Sequence, residues 1–332
     1  MHKNEPRRRA RIVGTGFYAP EKILTNADLA KMVDTSDEWI VTRTGMKERH
    51  ITSPDQATSD MVLIAARRAL EKAHLEAKDL DLIIVATVTP DTLFPATACW
   101  VQQGLRADHV AAFDISAACT GFLYGMIMAE ALITAGIVKR VLLAGSETLT
   151  RFTNWEDRNT CVLFGDAAGA AILEASPDES GILSRYWKAD GTLGDLLSVP
   201  AGGSRLPASA ETVEKKLHTV QMRGNEVFKH AVKRMSEAST EVLKRAGLGT
   251  DDIDWFIPHQ ANIRIIEATG ERLGVPKEKV YINVHKYGNV SAATIPIALS
   301  ELEGEGRLKK GNVIILTAFG SGLTWAAVAY RW

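Results

Sequence analysis

Three residues, Cys119, His259 and Asn289, stand in surroundings where their side chains could do chemistry. Cys119 lies in Ile115-Ser116-Ala117-Ala118-Cys119-Thr120-Gly121-Phe122, between an apolar strand pattern from Val110 to Ile115 and an uncharged run from Gly121 to Ala129. The run reads as a buried helix that opens at the cysteine. A helix N-terminus carries unpaired N–H groups and the positive end of the dipole. A thiolate placed there is stabilised, so its pKa falls and it becomes a nucleophile near neutral pH. The small neighbours permit a tight strand-to-helix turn. An inert buried thiol is the alternative, because burial without a polarising group raises a thiol pKa.

His259 sits in Pro258-His259-Gln260-Ala261-Asn262 and Asn289 in Tyr287-Gly288-Asn289-Val290-Ser291. Imidazole and carboxamide each offer an N–H, and two such donors aimed at one oxygen make an oxyanion hole. The amide does not titrate, and a neutral histidine donates if its other nitrogen is partnered. With a thiolate nucleophile, the trio suits acyl transfer through a thioester. The plainer alternatives are a satisfied histidine, one of eight in the chain, and an asparagine that merely makes a turn. Cys, His and Asn in that order also suit a papain-like protease. Such enzymes place the cysteine in a tryptophan-flanked motif near the mature N-terminus, usually with disulfides, and neither feature is present.

The elements that must position these residues alternate between strand and helix patterns, which predicts an α/β fold with buried strands. Helices are expected over Ser59–His74, Gly121–Ala135, Asn225–Ala246 and Ser291–Glu303. Strands are expected over Leu82–Val88, Val110–Ile115, Val141–Ala144, Ala168–Leu173, Trp255–Pro258, Val280–Val284, Val313–Thr317 and Trp325–Tyr330. Landmarks recur in order, about 170 residues apart for the first two pairs and fewer for the last. Leu80-Asp81-Leu82-Ile83 matches Ile253-Asp254-Trp255-Phe256, Val141-Leu142-Leu143 matches Val313-Ile314-Ile315, and Gly165-Asp166-Ala167-Ala168-Gly169 matches Gly320-Ser321-Gly322. One unit used twice is the expectation, with the seam near Ser176–Gly181. Cys119 then maps onto Asn289, and all three reactive side chains lie at strand C-terminal ends facing helix N-termini. A long loop, Ser198–Met222, reads as a lid or a disordered segment.

Whole-chain numbers exclude several classes. At 332 residues, two domains or two fused halves are expected. A net charge of −1 argues against a nucleic-acid partner. The three cysteines, Cys99, Cys119 and Cys161, show no metal spacing and no disulfide framework, which fits a reducing compartment. The start, Met1 to Arg9, is basic without an apolar run behind it and reads as a frayed arm. No apolar run reaches the roughly 18 residues of a membrane helix, so the chain reads as cytoplasmic. Gly14-Thr15-Gly16 looks like a dinucleotide loop, but Pro20 follows and no helix opens there, so the phosphate argument fails.

The motifs resemble those of the thiolase-like condensing enzymes, above all the β-ketoacyl-[acyl-carrier-protein] synthase III family. The segments that carry the likeness are Thr25–Leu29, Asp37–Gly45, Ala117–Phe122, Phe164-Gly165-Asp166, Pro258–Asn262, Gly288-Asn289 and Ala318-Phe319-Gly320. The resemblance implies a duplicated thiolase-like fold, layered αβαβα, with halves 1–178 and 179–332. It implies decarboxylating condensation of a short acyl-CoA primer with malonyl-[acyl-carrier-protein], with Cys119, His259 and Asn289 catalytic. The backbone N–H groups of Cys119 and Ser321 would hold the acyl oxygen. Coenzyme A would meet Thr35, Trp39, Arg43, Arg158 and Asn262, with adenine between Trp39 and Arg158. Phe94 would reach the acyl pocket of a partner subunit, implying a homodimer, and Arg264 and Arg272 would dock the carrier protein. No permanently bound cofactor or metal is implied, and condensing or acyl-transfer relatives of polyketide and secondary metabolism are the alternative. Ser321, Ala326 and Glu271 depart from the usual pattern. Ser321 can still donate its N–H unless φ must be positive there.

Overall fold

Residues 9–332 are described in the computed structural model, so the basic arm lies almost wholly outside them. Two stacked sheets organise the chain. The first contains β1 (Ala10–Tyr18), β2 (Leu82–Ala86), β3 (Ala111–Ile115), β4 (Arg140–Thr148) and β5 (Asp166–Ala175), in the order β1-β5-β4-β2-β3. The second contains β6 (Gly181–Ala189), β7 (Trp255–Pro258), β8 (Val313–Gly320) and β9 (Thr324–Arg331), in the order β6-β9-β8-β7. The second order repeats the first four places of the first. Directions repeat too: β2 and β4 are parallel, as are β7 and β8, while β5 and β9 run antiparallel to both of their neighbours.

Seven principal helices fill the remaining layers: α1 (Asp37–Thr44), α2 (Thr58–Ala73), α3 (Thr97–Leu105), α4 (Gly121–Thr134), α5 (Gly224–Ala246), α6 (Ile263–Leu273) and α7 (Thr294–Gly304). The run that forms α4 is apolar on every side and therefore has to be buried all round. It lies with α7 between the sheets, where Phe122, Met126, Ile295 and Leu299 share one core with Leu143 and Leu173 below and Leu316 and Val328 above. Each such side chain contributes about 2 kcal/mol by leaving water. Outside, Met61, Ala65 and Ala69 of α2 cover Ile83 and Leu142, and Val227, Ala231, Met235, Ala238 and Val242 of α5 cover Phe256 and Ile315. The layers are thus αβαβα. Helix α5 ends at Gly247 in the left-handed conformation, φ 70°, as its sequence predicts.

Four local expectations need correction. The segment Val280–Val284 is not a strand; it makes one isolated bridge, Val280 to Phe256. The buried Gln260 side chain takes its backbone groups instead, donating to Tyr281 O and accepting from the N–H groups of Asn283 and Val284. The helix expected from Ser291 opens with a 3₁₀ turn, Ser291–Ala293, and α7 proper starts at Thr294. Two outer strands, β1 and β6, were not anticipated. Gly14 and Gly16 belong to β1, where an added Cβ would lie 2.3 Å from Ala69 O and 2.4 Å from Ala65 O, so they let the strand press on α2. Finally, the long loop 198–222 is built as a wall, with a short helix at Ala210–Glu214 and a bond from Val220 N to Phe152 O.

Candidate active site

A cavity of about 830 Å³ is lined by Cys119, His259 and Asn289, together with Ser321, Trp39, Arg43, Asn262 and Arg264. The three reactive side chains come from separate turns at the C-terminal side of β3, β7 and the segment before α7. Cys119 occupies a 3₁₀ turn, Ala118–Thr120, that runs directly into α4. Ala118 is held at φ 46°. Gly320, at the end of β8, backs onto this turn: an added Cβ would stand 2.8 Å from Cys119 N and 3.3 Å from Cys119 Cβ.

The same turn recurs before α7, with Ser291 at φ 48° and a 3₁₀ turn over Ser291–Ala293. Ala117 (ψ 27°) corresponds to Val290 (ψ 29°), so Ala118 matches Ser291 and Cys119 matches Ala292. The expected equivalence of Cys119 with Asn289 is therefore three residues out of step. The counterpart of Asn289 is Ser116, which also lines the cavity.

Burial decides the resting state of the thiol. Desolvation pushes Cys119 up to about 12, with the buried Glu147 carboxyl acting in the same direction and the Ser291 hydroxyl against it. The expectation that a helix end alone would lower this pKa is not met, and the open alternative, a thiol raised by burial, describes the resting cysteine. Burial also carries His259 down to about 3, so its imidazole is neutral. His259 Nδ1 lies 2.8 Å from Thr294 Oγ1. Asn289 Oδ1 accepts from Ser291 N at 2.9 Å. His259 Nε2 and Asn289 Nδ2 make no hydrogen bond among the described residues and remain available to the cavity. Ser321 is absent from the residues with positive φ, which Gly322 joins at 136°, so a side chain is tolerated at 321. Its Oγ donates to Leu197 O.

At the mouth, Ser36 caps α1 by accepting from Trp39 N at 3.1 Å. Arg43 and Arg158 both stack on the Trp39 ring, at 4.5 and 5.0 Å from its centre. Arg158 also donates to Asp34 O, next to Thr35, whose buried Oγ1 has no partner among the described residues. Asn262 caps α6 through Arg264 N and ties it to α1 through Arg43 O. Arg264 lies over Phe228 at 5.6 Å, and Arg272 is exposed in the last turn of α6, away from the cavity. Phe94 is 86% exposed and does not line the cavity. Cys161 is buried in an apolar cluster.

Sequence reasoning missed Glu147, Ser291 and Thr294 as site residues. Glu147, at the end of β4, is fully buried; it accepts from Thr89 Oγ1 at 2.7 Å, Val88 N at 3.1 Å, Thr87 Oγ1 at 3.2 Å and Ser291 Oγ at 3.1 Å. Its only sequence signal is a lone charge three residues past the apolar strand pattern Val141–Ala144. Among the described residues no helix is long and apolar enough to cross a membrane, and no cluster of metal-binding side chains occurs.

Residues 113–191 match the 3-oxoacyl-[acyl-carrier-protein] synthase III family, and residues 243–332 match the C-terminal region of the same family. A β-ketoacyl-[acyl-carrier-protein] synthase III of Caldanaerobacter subterraneus subsp. tengcongensis is 59% identical over 97% of this chain and 98% of its own. The crystal structure of the Aquifex aeolicus 3-oxoacyl-[acyl-carrier-protein] synthase III is 49% identical, with a TM-score of 0.91 over 97% of this chain and 100% of that one. A priming β-ketosynthase of the R1128 polyketide pathway is 34% identical, with a TM-score of 0.89 over 100% of this chain and 98% of that one.

Proposed function

Because the chain belongs to the 3-oxoacyl-[acyl-carrier-protein] synthase III family, we propose that it condenses a short acyl-CoA primer with malonyl-[acyl-carrier-protein] and so initiates fatty acid synthesis. The observation that carries the reading is one cavity shared by a half-buried cysteine and two N–H donors unspent among the described residues. In the first half-reaction the Cys119 sulfur bonds to the acyl carbonyl carbon, with the Cys119 and Ser321 N–H groups toward its oxygen, and coenzyme A leaves as the thiol. In the second, the malonyl thioester loses carbon dioxide. His259 Nε2–H and Asn289 Nδ2–H hold the enolate oxygen as its charge appears. The carbanion attacks the acyl-Cys119 carbonyl, the carbon–sulfur bond breaks and a β-ketoacyl product leaves.

Neutral imidazole donates from Nε2 only if Nδ1 is the acceptor, which the Thr294 hydroxyl can enforce by donating to it. Coenzyme A is assigned to Trp39, Arg43, Arg158, Thr35 and Asn262. Two guanidiniums beside an indole suit adenine and phosphate, and the unpartnered Thr35 hydroxyl supports a polar contact there. The exposed Arg264 and Arg272 are assigned to acidic carrier protein. The bare Phe94 is assigned to a homodimer contact. The substrates are soluble thioesters, and we place the enzyme in the cytoplasm with no resident cofactor. The seam between halves is drawn at 178/179, in the turn joining β5 to β6.

The test is intact-mass spectrometry of the purified protein with a panel of acyl-CoAs. The expected result is one acyl adduct per chain, absent in Cys119→Ala, with condensation from acetyl-CoA lost in that variant. Unchanged condensation by Cys119→Ala overturns the assignment. The polyketide-priming reading, favoured by the R1128 likeness, would show instead as preference for a starter outside the short fatty acyl series.

A further inference from the structure

The mechanism above leaves one buried acid unused and one proton without a destination. The thiol must lose its proton before it attacks, and His259 is a poor acceptor: burial holds it near 3 against about 12 for the thiol. Glu147 stands on the other side. Its carboxyl is pushed up to about 7 by burial, against the pull of its hydroxyl and N–H donors. Proton transfer to it is thus about four decades less uphill than transfer to His259.

The geometry links this acid to the sulfur. Ser291 Oγ donates to Glu147 Oε1 at 3.1 Å in a fully buried contact, and Ser291 lines the same cavity as Cys119, whose thiol it neighbours. The Ser291 hydroxyl has one hydrogen: while it lies on Glu147 the Ser291 oxygen is open to S–H, and turned to the sulfur it steadies the thiolate, the sense in which it lowers the Cys119 pKa. The backbone of Ser291 also meets another member of the site: its N–H binds Asn289 Oδ1. The groups facing Glu147 are Thr87, Val88 N–H and Thr89 beyond β2, Ser291 from the turn before α7, and Cys119 from the turn before α4. No cation pairs with it among the described residues. On β5, Asp166 spends its carboxylate on Thr52 and Thr150.

We propose that Ser291 and Glu147 carry the Cys119 proton during the acylation half-reaction, Ser291 as a catalytic residue in contact with the sulfur and Glu147 as a positioning residue acting through it. This rests on the acyl-cysteine reading above. The S–H proton passes to Ser291 Oγ as the Ser291 hydroxyl proton passes to Glu147 Oε1. The resulting thiolate bonds to the acyl carbon, and the carbon–sulfur bond to coenzyme A breaks. The path then runs backward and protonates the leaving thiolate, so Glu147 ends as it began and nothing is oxidised or reduced.

The experiment is the rate of adduct formation from acetyl-CoA, followed by mass, between pH 5 and 9 for the wild type, Glu147→Gln and Ser291→Ala. Wild type is expected to rise through an inflection near pH 7 as Glu147 ionises. Both variants should lose about 100-fold at pH 7.5 and rise steadily with hydroxide instead. Should either variant lose the wild-type circular dichroism, Thr89→Val serves in its place: it removes a donor to the carboxylate and should move the inflection to higher pH. A folded variant within about threefold of wild type with the same inflection, or an unmoved inflection in Thr89→Val, overturns the relay. If the wild type itself takes up no acyl group, the functional reading fails with it.

Discussion

At the residue scale, the two side chains proposed as oxyanion donors are held differently, and their variants should differ accordingly. Asn289 is anchored by its oxygen to Ser291 N, leaving the amide nitrogen as the donor. Asn289→Ala removes that donor and is expected to slow malonyl decarboxylation about 10²–10³-fold, with a much smaller loss in acylation. Equal losses in the two half-reactions, measured separately, would sink the assignment. His259 depends on Thr294 for its tautomer. Thr294→Val leaves Nδ1 without a hydroxyl, so the ring no longer favours N–H at Nε2. We expect roughly a tenfold loss in decarboxylation, while Thr294→Ser restores most of it. Since burial keeps His259 neutral down to about pH 3, the decarboxylation rate should show no histidine inflection between pH 5 and 8.

At the element scale, the site is a meeting of turns. Cys119 is set by the close approach of β8 to the turn before α4, and Gly320 makes that approach possible. Gly320→Ala would drive a methyl into the Cys119 amide. Expected is a loss of acylation of at least about 100-fold with the folded state retained, checked by adduct mass alongside circular dichroism; a fully acylating variant would contradict this account. The sequence made the long helices legible because α4 is apolar throughout and α5 carries a clear stripe. It exposed the cysteine, histidine and asparagine because their flanking residues are distinctive. It hid the strand that never formed, since Gln260 replaces ladder bonds with side-chain bonds that no periodicity reports. It also hid Glu147 and Ser291, which lie 144 residues apart and meet only once both halves have packed.

At the scale of the whole molecule, duplication places two similar turns face to face, and the interior between them holds charge-sensitive groups. Glu147 has a folded pKa above its unfolded value of 4.5. The folded state therefore holds its proton more tightly, and stability falls as pH rises from about 4.5 through 7, by about 3 kcal/mol in full. Glu147→Gln lacks this loss. Its unfolding free energy, from urea titrations at several pH values, should gain on wild type across that window and stay level above pH 8. Parallel curves would show that Glu147 does not titrate in the fold.

Arg158 rests on the Trp39 indole. Under the adenine assignment proposed for this pair, a base that slides between them swaps one flat contact for another instead of adding one. Its ring therefore lends the complex less tightness than the same ring would on a bare indole, and a donor held so lightly at its far end can depart once its cargo has been handed over.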